Sequence, residues 1–293
     1  MLFYFLAGLA VVALFFIIVM LIDGNRFVVR EYTIESEKIR DGIDLAVMAD
    51  LHNKQYGTEN AKLLEALDKV KPHVVMVAGD MLTAKPGKGY ERAASFMEKV
   101  AEKFPVYYGL GNHEYRMKIY PKDYGTEFAE YVGRLEKAGI QVLDNESALI
   151  QVKREQRMTN IRVSGVSIER FYYKRFRKIY MSDEYLDGLI GKADVEAYQI
   201  LLAHNPEYFD TYADWGADLT LAGHVHGGIM RLPLLGGVLS PKLVFFPKYD
   251  GGHFIRKNRH MVLSRGLGMH TIPIRIFNPA ELVVVHLKPC NSK

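Results

Sequence analysis

Pro105-Val-Tyr-Tyr-Gly-Leu110 runs straight into Gly111-Asn112-His113-Glu114. A short apolar run that breaks at Gly-Asn, with an imidazole and a carboxylate next, reads as a buried strand emptying into a functional loop. Three polar side chains in a row lose hydration beside a core, so each needs a partner there. Working outward, the same pattern recurs. The run 43–49 stops at Asp50-Leu51-His52, and the run 73–78 stops at Gly79-Asp80. Residues 198–203 stop at His204, and residues 218–222 stop at Gly223-His224-Val225-His226. Ala61, Leu64, Leu67 and Val70 recur at helical spacing before Pro72, and residues 89–103 and 125–138 also read as helices. Further strands are expected at 27–34, 140–143, 147–153, 160–166, 260–264 and 281–287. Strands alternating with helices predict an α/β domain with a partly parallel sheet. In such sheets, sites form beyond the carboxyl ends of the strands, so strand ends of one sheet can gather residues far apart in sequence.

The composition sets bounds on function. The chain has 293 residues, 49% of them hydrophobic, which is enough for a sizeable core without disulfides. Its one cysteine, Cys290, excludes an intrachain disulfide and a cysteine metal site. A net charge of +4 suits an anionic substrate or an anionic membrane surface and is too mild to argue for nucleic acid. Five of the ten histidines fall in the strand-end motifs.

Leu2 to Ile22 carry no charged residue. As a helix this run is about 31 Å long, the thickness of a bilayer's hydrocarbon core. No basic residue precedes it and it ends Val-Met-Leu-Ile-Asp, which reads as an uncleaved anchor (residues 1–22) rather than a signal peptide. Residues 23–293 then form the functional domain. Arg26, Arg30, Lys38 and Arg40 all follow the span, and the positive-inside rule places that domain on the cytoplasmic side.

Taken singly, the strand-end fragments are weak. Asp-x-His is commonly a loop, Gly-Asp a turn, and a histidine after a strand a satisfied core residue. His224 and His226 would share a face in a strand, but a turn at Gly223 would let their rings approach one centre from different angles. Taken together, in order, they resemble the calcineurin-like metallophosphoesterase superfamily, whose pattern is D-x-H, G-D, G-N-H-[DE], a lone His and G-H-x-H. The resemblance covers the whole chain after the apolar run. It implies a layered β-sandwich flanked by helices and two divalent metal ions (Mn, Fe or Zn). By position, Asp50, His52 and His226 would hold one ion, Asn112, His204 and His224 the other, and Asp80 would bridge them. Two ions carry +4, of which Asp50 and Asp80 cancel half, and the surplus activates water and draws in phosphate oxygens. His113 would then stabilise or protonate the leaving oxygen. Glu114 has two readings, an orienting partner for the site or a plain surface carboxylate.

Residues 263–268 and 272–281 also look like a membrane-anchored bacterial subgroup, which includes phosphodiesterases and UDP-2,3-diacylglucosamine hydrolases. The expected activity is therefore hydrolysis of a phosphodiester or pyrophosphate bond, in a phosphorylated small molecule or a lipid substrate. Alternatives are a phosphomonoesterase for a soluble substrate and a non-catalytic phosphate-ligand sensor. Ile229 departs from the Gln expected after His-Gly-Gly, which bears on a substrate contact. The basic, aromatic stretch 171–180 reads either as a lid that holds a phosphate through Lys174, Arg175 and Arg177 and stacks on a base or a sugar, or as a solvated loop or membrane-surface patch. Arg116, Lys118 and Lys122 after GNHE are further anion-binding candidates. The apolar Pro/Gly-rich stretch 229–247 reads either as a lipid-facing loop or as packing on the domain's own core. His253, His260, His270 and His286 read as structural, with His270 the one closest to a motif.

Overall fold

The computed structural model describes residues 1–293 apart from 155–156, 175–178, 183, 229, 233–235, 240–243, 270–273 and 291–293, and apart from the side chains of 153, 154 and 157. Among the described residues the strands are β1 (Phe27–Ser36), β2 (Ile43–Met48), β3 (Val74–Ala78), β4 (Val106–Gly109), β5 (Gln141–Leu143), β6 (Glu146–Arg154), β7 (Arg157–Val166), β8 (Tyr198–Ala203) and β9 (Leu219–Ala222). They continue as β10 (Arg231–Leu232), β11 (Gly236–Gly237), β12 (Gly252–Arg256), β13 (Arg259–Leu263) and β14 (Ala280–Pro289). The helices are α1 (Leu2–Asn25), α2 (Ala61–Val70), α3 (Glu91–Ala101), α4 (Asn112–Ile119), α5 (Pro121–Tyr124), α6 (Glu127–Lys137), α7 (Tyr185–Ile190) and α8 (Phe209–Trp215).

Two six-stranded sheets stack face to face. One has the order β1-β14-β2-β3-β4-β5 and the other β12-β13-β9-β8-β7-β6. β2, β3, β4 and β5 run parallel, as do β7, β8, β9 and β13. The layering follows from strand alternation. In β2, Leu45 and Val47 point to the second sheet while Ala46 and Met48 point to the helices. In β8, Ile200 and Leu202 face the first sheet while Leu201 and Ala203 face the outer core beside α7 and α8. Strands covered on both sides must be apolar at nearly every position, and all five residues of β3 are buried. The result is helix, sheet, sheet, helix, as expected of a layered α/β sandwich.

Four differences from the expected pattern have physical causes. The strand ends that carry the candidate donors belong to both sheets, β2, β3 and β4 in one and β8 and β9 in the other, so these residues gather across a sandwich rather than along one sheet. Asn112, His113 and Glu114 form the first turn of α4 instead of a loop. This helix has a weak apolar stripe, and it starts because the Glu114 carboxylate accepts the Gly111 N–H at 3.0 Å, one half of a capping box. In α2 the buried residues are Leu63 and Leu67, so the expected Leu67 is on the core side while Leu64 and Val70 are half-buried and Ala61 is exposed. β12 has no buried residue, four being half-buried and Ile255 exposed, so its sequence carries little strand signal.

α1 continues three residues beyond the apolar run, to Asn25. Its residues are exposed or half-exposed until Asp23 and Gly24, which are buried against the domain. An exposed helix of this length and apolarity is long enough to cross a membrane.

Candidate metal centre

Each motif residue leaves its strand at the same end of the sandwich. Three clusters of donor atoms result: Asp50, His52 and His226; Asp80, His204 and His224; and, between them, His52, Asp80 and His113. His226 Nε2 lies 3.4 Å from Asp50 Oδ1 and 3.2 Å from His52 Nε2, with the two rings stacked. His204 Nε2 lies 3.1 Å from Asp80 Oδ2 and 3.7 Å from Asp50 Oδ1. Asp80 Oδ2 is also 3.8 Å from His52 Nε2, so one carboxylate faces both clusters. Asn112 directly precedes His113, whose N–H meets Asp80, and its buried Oδ1 has no hydrogen-bond donor among the described residues. A buried carbonyl oxygen left this way fits a cation rather than a core.

The backbone supports convergence at the expense of local comfort. Asp50, His52, Asp80, His224 and His226 all have positive φ, between 50° and 74°. Such conformations are held by their surroundings and cluster at functional sites. Asp50 N–H donates to Gly79 O and His52 N–H to Asp80 O, which zips the turn after β2 to the turn after β3. His224 N–H donates to both carboxylate oxygens of Asp50, at 3.1 and 2.9 Å. That approach requires glycine before it, since a Cβ on Gly223 would sit 2.4 Å from Asp50 Oδ2. His224 and His226 therefore leave a turn, not a strand, and their rings join different clusters.

The hydrogen bonds also orient the rings. His204 Nδ1 contacts Ala78 O at 2.7 Å and His52 Nδ1 contacts Leu82 O at 3.3 Å. Each ring thus points Nε2 inward, the arrangement common in metal-bound histidines. His113 is held differently. Ala84 N–H donates to its Nδ1 at 2.8 Å, so the ring proton sits on Nε2, 3.9 Å from Asp80 Oδ2. His113 N–H also donates to Asp80 Oδ1 at 2.8 Å, which leaves Oδ2 of that carboxylate turned to the clusters.

Glu114 is not a surface carboxylate. It is fully buried and accepts five hydrogen bonds. Oε2 takes Asp80 N–H (2.9 Å) and Gly111 N–H (3.0 Å). Oε1 takes Met81 N–H (2.9 Å), Leu82 N–H (3.4 Å) and the Tyr108 hydroxyl (2.8 Å). Burial pushes this carboxyl up to about 7, and the charge of Asp80 adds to that. Its role is to fix the turn that aims Asp80. Glu114→Gln is expected to destabilise the fold by at least ~2 kcal/mol, because the new NH2 group would face N–H donors and leave one unsatisfied. Urea unfolding measures this, and an unchanged midpoint would remove the clamp from the account.

The charges are arranged for cations. Burial pushes Asp50 up to about 7, with His204 working against it. Burial alone would lower His204, but Asp80 and Asp50 outweigh it and carry the imidazole up to about 10. Burial opposes ionisation of Asp80 too, yet His204, His113 and His52 hold it well below the usual carboxylate range. The centre thus sets an imidazole favoured toward its charged form against a carboxylate, and a divalent ion would compete with a proton for His204. Burial lowers His113, so this ring is neutral near pH 7.

A calcineurin-like phosphoesterase family model matches residues 43–228, which contain every residue of this centre. The chain belongs to that family. It is 25% identical over 267 residues to the uncharacterized metallophosphoesterase YkuE of Bacillus subtilis, covering 89% of this chain and 85% of that protein. It is 26% identical over 268 residues to an uncharacterized metallophosphoesterase of Aquifex aeolicus, covering 89% and 91%. It is 27% identical over 201 residues to the phosphodiesterase YaeI of Escherichia coli, covering 68% and 64%. As a metallophosphoesterase it is a hydrolase, and the two clusters are able to hold the two divalent ions that the family uses.

Around the centre, Tyr173 sets its ring 5.0 Å from that of His224 and 6.4 Å from that of His204. The carbonyl of Tyr172 just before it is held by Asn205 Nδ2 and the Tyr208 hydroxyl. Within the aromatic and basic stretch 171–180, Tyr173 is the described residue whose ring reaches the site. An aromatic among aromatics carries no separate signal in sequence. Lys174 follows it and is exposed, while Arg175 and Arg177 lie outside the described residues, as do Ile229 and His270. Arg116 is exposed on α4, close enough for its charge to act on His113. His253 and His260 stack and hydrogen-bond to each other, and His286 bonds to Asp44, away from the centre.

Proposed function

We propose that this chain hydrolyses a phosphodiester or pyrophosphate bond, with Asp50, His52 and His226 holding one divalent ion, Asn112, His204 and His224 the other, and Asp80 shared. Bound divalent ions would supply an activated water and neutralise phosphoryl charge. The observation that carries the reading is the tautomer of His113. Its Nε2–H looks into the centre because Ala84 N–H occupies Nδ1. His113 is then a hydrogen-bond donor to the leaving oxygen rather than a proton donor, since protonating the ring would break the Ala84 bond. A residue that stabilises a departing oxygen without giving up a proton suits a leaving group that is stable as an anion, such as a nucleotide or a phosphorylated sugar.

The substrate side of the reading rests on the surface. Phe245 is 68% exposed, Phe246 57% and Phe277 40%. The ring of Phe277 meets those of Phe15 and Phe16 on α1. An exposed aromatic beside an apolar helix, as Phe277 is, suits a bilayer interface. We take α1 as the anchor, the domain as cytoplasmic-facing, and the substrate as amphipathic, of the kind represented by a nucleotide-linked lipid. Lys174 and Arg116 would meet its phosphates and Tyr173 would form one wall of the site.

The test is turnover of the full-length chain in detergent with Mn, on bis-p-nitrophenyl phosphate, p-nitrophenyl phosphate and a nucleotide-linked diacyl lipid. The expected order is lipid first, diester second, monoester last. A monoester preferred by tenfold would favour a phosphomonoesterase, and no turnover of any of the three would favour a ligand sensor.

A further inference from the structure

Asp23 is the first charged residue after the apolar run, and it is only 2% exposed. Arg26 donates to its Oδ1 through Nε and Nη2, at 3.0 and 2.9 Å. Its Oδ2 accepts the backbone N–H of Asn278 at 2.9 Å. Asn278 is fully buried in turn, and its side-chain Nδ2 donates to the carbonyls of His226 (2.7 Å) and Gly228 (2.8 Å). One residue is thus bonded through its backbone to the end of α1 and through its side chain to the turn that carries His226.

The fit at this junction is close. A Cβ on Gly227 would lie 2.4 Å from Asn278 Oδ1, so the turn accepts Asn278 only with glycine there. His226 itself has a φ of 53°, a conformation that needs outside support. Arg275 adds to that support: its buried guanidinium donates to the carbonyls of Arg265, Gly266, Gly268 and Asn278. The same segment then reaches the centre, where Gly268 N–H donates to Asp50 O and Leu267 N–H to Ala49 O. Supports of this kind fall on the Asp50, His52 and His226 cluster. The other cluster has its own, His204 to Ala78 and Asp80 to Glu114's turn.

We propose that Asp23 and Asn278 are positioning residues that couple the seating of α1 to the placement of His226, so that one of the two ions is held tightly only when the helix is docked. This rests on the two-ion reading above. An anchor joined to its site in this way would tune metal occupancy to the state of the helix and not merely localise the enzyme.

Mn(II) titration of the full-length chain in detergent, followed by EPR, separates the possibilities. The unaltered chain is expected to bind two ions. Asp23→Ala should leave one ion bound as before and weaken the other by about 10–100-fold, the usual effect of removing a partner that orients a ligand. Asp23→Asn retains a carbonyl oxygen for the Asn278 N–H and should restore most of the affinity, which a general loss of stability would not allow. Should Asp23→Ala fail to fold, Asn278→Ala carries the test, since its backbone N–H still meets Asp23 and only the His226 arm is cut. The double variant should bind no more weakly than Asn278→Ala alone, because both lie on one path. Two ions bound with unaltered affinity in Asp23→Ala or in Asn278→Ala would overturn the coupling while leaving the two-ion reading in place. Fewer than two ions in the unaltered chain would overturn the reading beneath it.

Discussion

His113→Ala is expected to lower kcat by about 10²–10³-fold, the usual loss when one preorganised donor to a developing oxyanion is removed, with both ions still bound. The ring faces the centre through its Nε2–H and is tied back by Ala84, the geometry that the proposed role requires. Burial already lowers its basicity, and two nearby cations would lower it further. The hydrogen-bond role therefore makes a second demand. His113→Gln should recover part of the lost rate, because an amide can donate a hydrogen bond although it cannot donate a proton. Turnover at saturating Mn, with metal content measured on the same samples, decides this. Unchanged turnover in His113→Ala would remove the assigned role. A glutamine variant as slow as alanine would return His113 to proton transfer.

Asp80→Asn should weaken both ions together, by about 10²-fold or more, since removing a ligand exceeds the loss of an outer partner. Asp80 Oδ2 lies between the two clusters, within 3.1 Å of His204 and 3.8 Å of His52. The substitution is a clean one. Asparagine tolerates the left-handed backbone at this position, where φ is 57°. An amide oxygen can still accept the His113 N–H, so the turn keeps its shape while the bridge loses its charge. The measurement is Mn(II) binding with EPR, in which two bridged ions give an exchange-coupled signal. A variant that held two coupled ions with unaltered affinity would contradict the bridge.

These expectations show where the sequence was legible. Strand ends announce themselves because a doubly covered strand must be apolar and the residue after it is free to be polar, as at Ala78-Gly79-Asp80 and Ala222-Gly223-His224. Metal-donor types at every such end are improbable unless they meet. Glu114 was ambiguous because a carboxylate beside a histidine is the same letter whether it faces water or five donors. The first turn of α4 was hidden for a related reason. It is started by Glu114 reaching back to Gly111, and its helical stripe is too weak to show by periodicity.

The sequence by itself determined the family pattern, the alternation of strands and helices, the apolar N-terminal run and the set of candidate donors, since each is a matter of residue type at short spacing. Tertiary structure alone decided three things. It drew the donors from two sheets rather than one, because register between stacked sheets depends on side chains packed across the sandwich, such as Leu45, Val47, Ile200 and Leu202. It made Glu114 a clamp, because five donors converge only after β3, β4 and α4 are in place. And it tied Asp23 to His226 through Asn278, residues more than 200 positions apart that hydrogen bonds bring together only when β14 closes the first sheet.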